Sequence, residues 1–259
     1  MPADLSTSQR SEYRYGEHPR QVSDLWLPRG ERREAIVVFV HGGGYDAGTD
    51  RRDVIVNVAD LVADGWPVLN VDYRGNGDGG GWDATFTDVA TAVDQAAEAA
   101  ERWGLAADRV AIVGHSAGGH LALWAAARHT LAAGDPGAGP RVVPAVAASM
   151  AGVLHPTALA FTDDNVRTVF GGTPAEVDDR YAIGDPARRV PLGMQLLVVH
   201  GTGDDTVPFS QAQEFTDAAR AAGDSVDLQL LDGVSHVDPL DPDGQSWPLV
   251  KRFLENSLG

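Results

Sequence analysis

Apolar runs and helix-spaced apolar stripes take turns along this chain from about residue 35 to its end. Residues 35–40 and 66–71 are nearly continuous apolar stretches, the pattern of strands buried on both faces. Between them Val54, Val58, Leu61 and Val62 recur at helical spacing, so 52–63 is predicted as a helix. The same periodicity predicts helices at 88–103, 119–127, 211–222 and 247–258. Further buried strands are predicted at 110–113, 146–150 and 196–199, and an alternating strand at 226–231. Earlier, 21–27 alternates and reads as an antiparallel strand stopped by Pro28. Residues 1–12 carry no such pattern and are expected to be loose. Residues 131–140 read as a Gly/Ala/Pro loop. Residues 153–190 are the least regular stretch, an insertion that fits either a small lid over a site or a plain surface excursion.

Alternation of this kind implies a single α/β domain over 1–259, with a mostly parallel central sheet of about eight strands and helices on both faces. The chain is long enough to bury a large core. Its composition, 43% hydrophobic and 22% charged, is ordinary for a globular protein. A net charge of −17 opposes nucleic-acid binding, which needs a basic face. Cysteine is absent, which excludes disulfides, thiolate chemistry and cysteine-ligated metals. No stretch of 18 apolar residues and no apolar signal core near the start is present, so a soluble, cytoplasmic protein with no membrane partner is expected. An edge-strand homodimer is compatible with the architecture, and nothing in the sequence selects it.

The chemistry concentrates at Gly114-His115-Ser116-Ala117-Gly118. This G-x-S-x-G lies between a predicted strand and a predicted helix, the context of a nucleophile elbow. A serine at so sharp a turn needs small neighbours, here Gly114, Ala117 and Gly118, and the Ala117 N–H faces the reacting centre at a helix N-terminus. A serine nucleophile needs a base, and the base an orienting acid. Of the five histidines after Ser116, His236 alone lies in a loop after the last predicted strand, following an acid-bearing loop. That loop, His200 to Pro208, offers two adjacent carboxylates, Asp204 and Asp205. An oxyanion needs preorganised donors; His41-Gly42-Gly43-Gly44 follows strand 35–40 and can turn its N–H groups inward without a Cβ in the way. Gly75 to Trp82 is glycine-rich but lacks dinucleotide or P-loop spacing, and reads as a flexible loop near the pocket mouth. Tyr45, Trp82 and His115 are candidates to contact a substrate. His115 and His120 could polarise the elbow or bind substrate, but satisfied structural histidines are the favoured reading. No metal-ligand spacing occurs, so neither metal nor cofactor is expected.

These motifs resemble the HGGG-type esterase/lipase branch of the α/β-hydrolase superfamily, from about Glu12 onward. Gly114 to Ala122 is similar to the kynurenine-formamidase-like and small carboxylesterase-like groups. The resemblance implies the α/β-hydrolase fold with a minimal cap. In such families two residues intervene between the acid and Val-Pro, which selects Asp204 ahead of Val207-Pro208. The implied catalytic set is Ser116, Asp204 and His236, with Gly43, Gly44 and Ala117 as oxyanion donors. After Asp72-Tyr73-Arg74 the chain continues Gly75-Asn76-Gly77, closer to prolyl-oligopeptidase-like hydrolases. The implied activity is hydrolysis of small carboxylic esters through an acyl-enzyme. An aryl formamide such as N-formylkynurenine is the alternative substrate; a peptidase or a catalytically silent binding protein ranks below it.

Overall fold

The computed structural model describes residues 4–6 and 8–259. An eight-stranded sheet forms its centre. In chain order its elements are β1 (Ser8–Arg14), β2 (Val22–Pro28), β3 (Ile36–Val40), α1 (Ile55–Ala63), β4 (Val68–Val71), α2 (Ala84–Trp103), β5 (Val110–His115) and α3 (Ala117–Ala126). There follow β6 (Val146–Met150), α4 (Pro156–Leu159), α5 (Asp164–Phe170), α6 (Asp178–Gly184), β7 (Gln195–Gly201), α7 (Ser210–Ala221), β8 (Ser225–Leu231) and α8 (Trp247–Leu258). The spatial order is β1-β2-β4-β3-β5-β6-β7-β8. The first two strands run antiparallel to their neighbours and the remaining pairs are parallel.

The apolar runs follow from this layering. Along β3, Ile36, Val38 and Val40 enter one core with α2, α3 and α7, while Val37 and Phe39 enter a second core with α1 and α8. A strand covered on both faces has no polar face to write into the sequence. Every residue of α3 is buried, as a helix apolar on all sides must be.

One expectation fails. Residues 8–12 are not loose but form most of β1, paired residue by residue with β2 from Ser8↔Pro28 to Arg14↔Val22. The strand lies at the sheet edge and buries only Ser8 and Tyr13, so main-chain pairing holds it with little apolar signal. An ion pair from Arg10 to Asp24 at 2.8 Å adds a polar tie. Residues 1–3 and 7 lie outside the described residues. The 153–190 insertion folds as α4, α5 and α6 between β6 and β7, at the end of the sheet where the parallel strands terminate. Among the described residues, no helix is long and apolar enough to cross a membrane.

Candidate active site

Ser116 stands between β5 and α3 with φ 56° and ψ −122°, a left-handed conformation that a non-glycine residue adopts only where its surroundings impose it. Those surroundings are tight. A Cβ on Gly114 would overlap the Gly118 carbonyl, and one on Gly118 would overlap the carbonyls of Val40 and His41. The Ser116 N–H donates to Met150 O at 2.9 Å, tying the elbow to β6.

The structure brings Ser116, His236 and Asp204 into one hydrogen-bonded row. His236 Nε2 lies 3.0 Å from Ser116 Oγ, and His236 Nδ1 lies 2.7 Å from Asp204 Oδ2. The acid comes from the loop after β7 and the imidazole from the loop after β8. Asp204 Oδ1 accepts from the N–H groups of Thr206 at 2.9 Å and Val207 at 2.8 Å. Burial pushes this carboxyl upward, but hydrogen bonds from His200, His236 and the two amides outweigh burial and hold it well below the usual carboxylate range. Asp205 stays exposed, and among the described residues its side chain reaches only the Thr206 hydroxyl, at 3.3 Å. His200 has no part in the sequence-based site, yet its Nε2 sits 3.0 Å from both Asp204 Oδ2 and Val207 O. Its position as the fourth residue before Asp204 was the available signal.

The loop after β3 supplies Gly43 at φ +103° and Gly44 at φ +62°, both outside the comfortable range of L-residues. Among the described residues, the N–H groups of Gly43, Gly44 and Ala117 have no backbone partner. All three line a cavity of about 450 Å³ together with Ser116 and His236. Val153, Val166, Val207 and Leu240 give it apolar walls, and α5 and the residue before it contribute Asp163 and Asn165.

The three proposed substrate contacts separate. Tyr45 lines the cavity, but its hydroxyl donates to His120 Nδ1 at 2.8 Å, and His120 Nε2–H donates to Gly184 O at 2.7 Å. Burial holds His120 at about 4, so it stays neutral and keeps this relay. His115 also lines the cavity, with Nε2 turned to the His236 carbonyl at 2.8 Å. Trp82 does not reach the cavity. It stacks on Phe170 at 6.0 Å and 19° and meets Phe86 edge-on at 4.9 Å, so its ring packs in an aromatic cluster with α2 and α5 instead of facing the site. The 75–82 loop backs the glycine loop rather than opening the mouth: Asn76 N donates to Tyr45 O at 2.6 Å, and Ala47 N to Asn76 O at 3.1 Å. Among the described residues, no group of three or more His, Asp or Glu side chains could hold a metal ion.

A protein-family model described as BD-FAE matches residues 23–218. Esterase LipC of Mycobacterium tuberculosis is 28% identical over 86% of this chain and 58% of its own length. The probable isoprenylcysteine alpha-carbonyl methylesterase ICMEL1 of Oryza sativa subsp. japonica is 26% identical over 86% of this chain and 56% of its own. The chain thus spans a little over half the length of these curated relatives. Among solved structures, a truncated carbohydrate esterase from gut microbiota superposes with a TM-score of 0.81 at 20% identity, covering 97% of both chains. Esterase B from Lactobacillus rhamnosis superposes with a TM-score of 0.81 at 21% identity, over 97% of this chain and 86% of that one. At such identities the structural likeness speaks for the fold.

Proposed function

The chain belongs to the BD-FAE family and has the α/β-hydrolase fold, and from that premise we propose that it is a serine hydrolase of small carboxylic esters. The observation that carries this is the unbroken Asp204–His236–Ser116 hydrogen-bond row on the wall of a cavity that also holds three unpaired amides. Ser116 Oγ attacks the ester carbonyl carbon while His236 Nε2 takes its proton. The carbonyl π pair moves onto oxygen, and the amides of Gly43, Gly44 and Ala117 receive the oxyanion. Collapse expels the alcohol, which leaves with the proton from His236. Water, deprotonated by His236, then attacks the acyl-enzyme, and the acid departs as Ser116 regains its proton. Asp204 fixes the Nδ1–H tautomer and stabilises the imidazolium without taking the proton.

The cavity favours an ester over N-formylkynurenine. That formamide carries an amino-acid carboxylate, which calls for a cationic partner. Among the described residues, no lysine or arginine lines the cavity, and Asp53 and Asp163 do. Its volume of about 450 Å³ suits a small ligand. The relatives named esterases support the same reaction class. Turnover of a short p-nitrophenyl ester and of N-formylkynurenine, measured side by side, tests the assignment. The ester is expected to win by orders of magnitude, and the reverse ranking would make the protein a formamidase.

The absence of a cofactor requirement and a cytoplasmic site of action belong to the same proposal. Undiminished turnover in chelator-treated buffer tests the first, and fractionation of the native host tests the second.

A further inference from the structure

The reaction sequence leaves one buried histidine beside the nucleophile without a task. His115 ends β5, is 4% exposed, and donates its Nε2–H to the carbonyl oxygen of His236 at 2.8 Å. The two imidazole rings lie 4.9 Å apart at 48°. On the opposite side, a Cβ on Gly42 would come within 2.9 Å of His115 Nδ1 and 2.7 Å of the His115 carbonyl. The bare Gly42 therefore seats this ring. One side chain thus touches the elbow, the glycine loop and the loop that carries the imidazole of the catalytic row.

We propose that His115 is a positioning residue that fixes the His236 loop against the nucleophile elbow. The proposal rests on the serine-hydrolase assignment above. The loop needs such a tie. It follows β8, the edge strand of the sheet, and Val237 next to His236 is 62% exposed. Nearby main-chain anchors hold Gly233, through Thr202 Oγ1 at 2.8 Å, and Val234, through Gly203 N at 3.1 Å. The His236 carbonyl itself is held by His115. Displacing a general base by a fraction of an ångström costs rate rather than substrate affinity. A neutral donor suits the task, since His236 becomes positive when it takes the serine proton. Burial, and then the neighbouring His236, hold His115 at about 4, so it adds no competing charge at neutral pH.

The test compares His115→Phe, which keeps a ring and removes the donor, with His115→Gln, which removes the ring and keeps an N–H at similar reach. For each, kcat and KM on a short p-nitrophenyl ester are measured with Tm, alongside fluorophosphonate labelling of the wild type. The Phe variant is expected to lose more than about fivefold in kcat with KM nearly unchanged, and the Gln variant to stay within about fivefold of wild-type kcat. A Phe variant within about fivefold of wild type overturns the proposal. So does a Gln variant that loses more than that, or a loss confined to KM, which would make His115 a substrate contact. Should the Phe variant fail to fold, the Gln variant decides by the same fivefold boundary. Absence of wild-type labelling would instead sink the serine-hydrolase assignment, so the two failures are distinguishable.

Discussion

The two sides of the candidate site are built by opposite means. The side proposed to hold the oxyanion, formed by the loop after β3 and the elbow after β5, depends on atoms that are missing. Gly114 and Gly118 let backbone carbonyls close in, and Gly43 and Gly44 hold positive φ values. The acid–base side, formed by the loops after β7 and β8, depends on side chains that are present. Asp204 is held by two amides and two histidines, and His236 is bonded at both ring nitrogens and at its carbonyl. Adding a methyl should therefore damage the first side, and deleting a donor the second.

The largest effect tests what the two sides share. Ser116→Ala and His236→Ala should each lower kcat by at least about 10³ with little change in Tm, read from steady-state kinetics and calorimetry. Next, Asp204→Asn should cost about 10²-fold or more in kcat, while Asp205→Asn stays near wild type. Equal losses at both would show that the acid–base side does not depend on one defined carboxylate. On the oxyanion side, Gly43→Ala should lower kcat by about 10²-fold, since the methyl meets Thr49 and the amide must turn. Wild-type kcat in that variant would erase the contrast. Smaller still, Tyr45→Phe should cost about 1 kcal/mol of stability by orphaning His120 Nδ1, measured by denaturant unfolding.

The pH dependence of stability probes the buried histidines. His115 and His120 are held at about 4, against 6.5 when exposed. Between those values the unfolded chain binds more protons than the folded one, so stability falls as pH drops from 6.5 to 4. Each group contributes on the order of 1.4 kcal/mol per pH unit inside the window. Asp204, whose carboxyl is depressed, withdraws its contribution only at lower pH, as the solution passes below 3.8. A Tm that declines steadily over that range is expected; a flat Tm would mean that these imidazoles charge freely in the folded state.

How much of this could be read from the chain follows from the same contrast. Absence is written locally. Within each loop the glycines sit a few residues apart, and the apolar runs of β3, β5 and β7 declare strands covered on both faces. Presence is written across distance. Tyr45 meets His120 and His115 meets His236 over separations of 75 and 121 residues, and no local period records either contact. Asp204 and Asp205 are equivalent as a local pattern; the spacing to Val207-Pro208, known from the resembling family, separated them. Trp82 lies beside a glycine-rich stretch that resembles a pocket rim, yet aromatic packing draws it inward. β1 escaped notice because an edge strand needs pairing more than burial.

The central claim is that His236 activates Ser116 for attack on a carbonyl or its analogue. Intact-mass and peptide analysis after treatment with a fluorophosphonate tests it most directly. One adduct per chain, located on Ser116 and lost in His236→Ala, is expected. A folded wild-type protein that takes no adduct, or takes it on another residue, would contradict it.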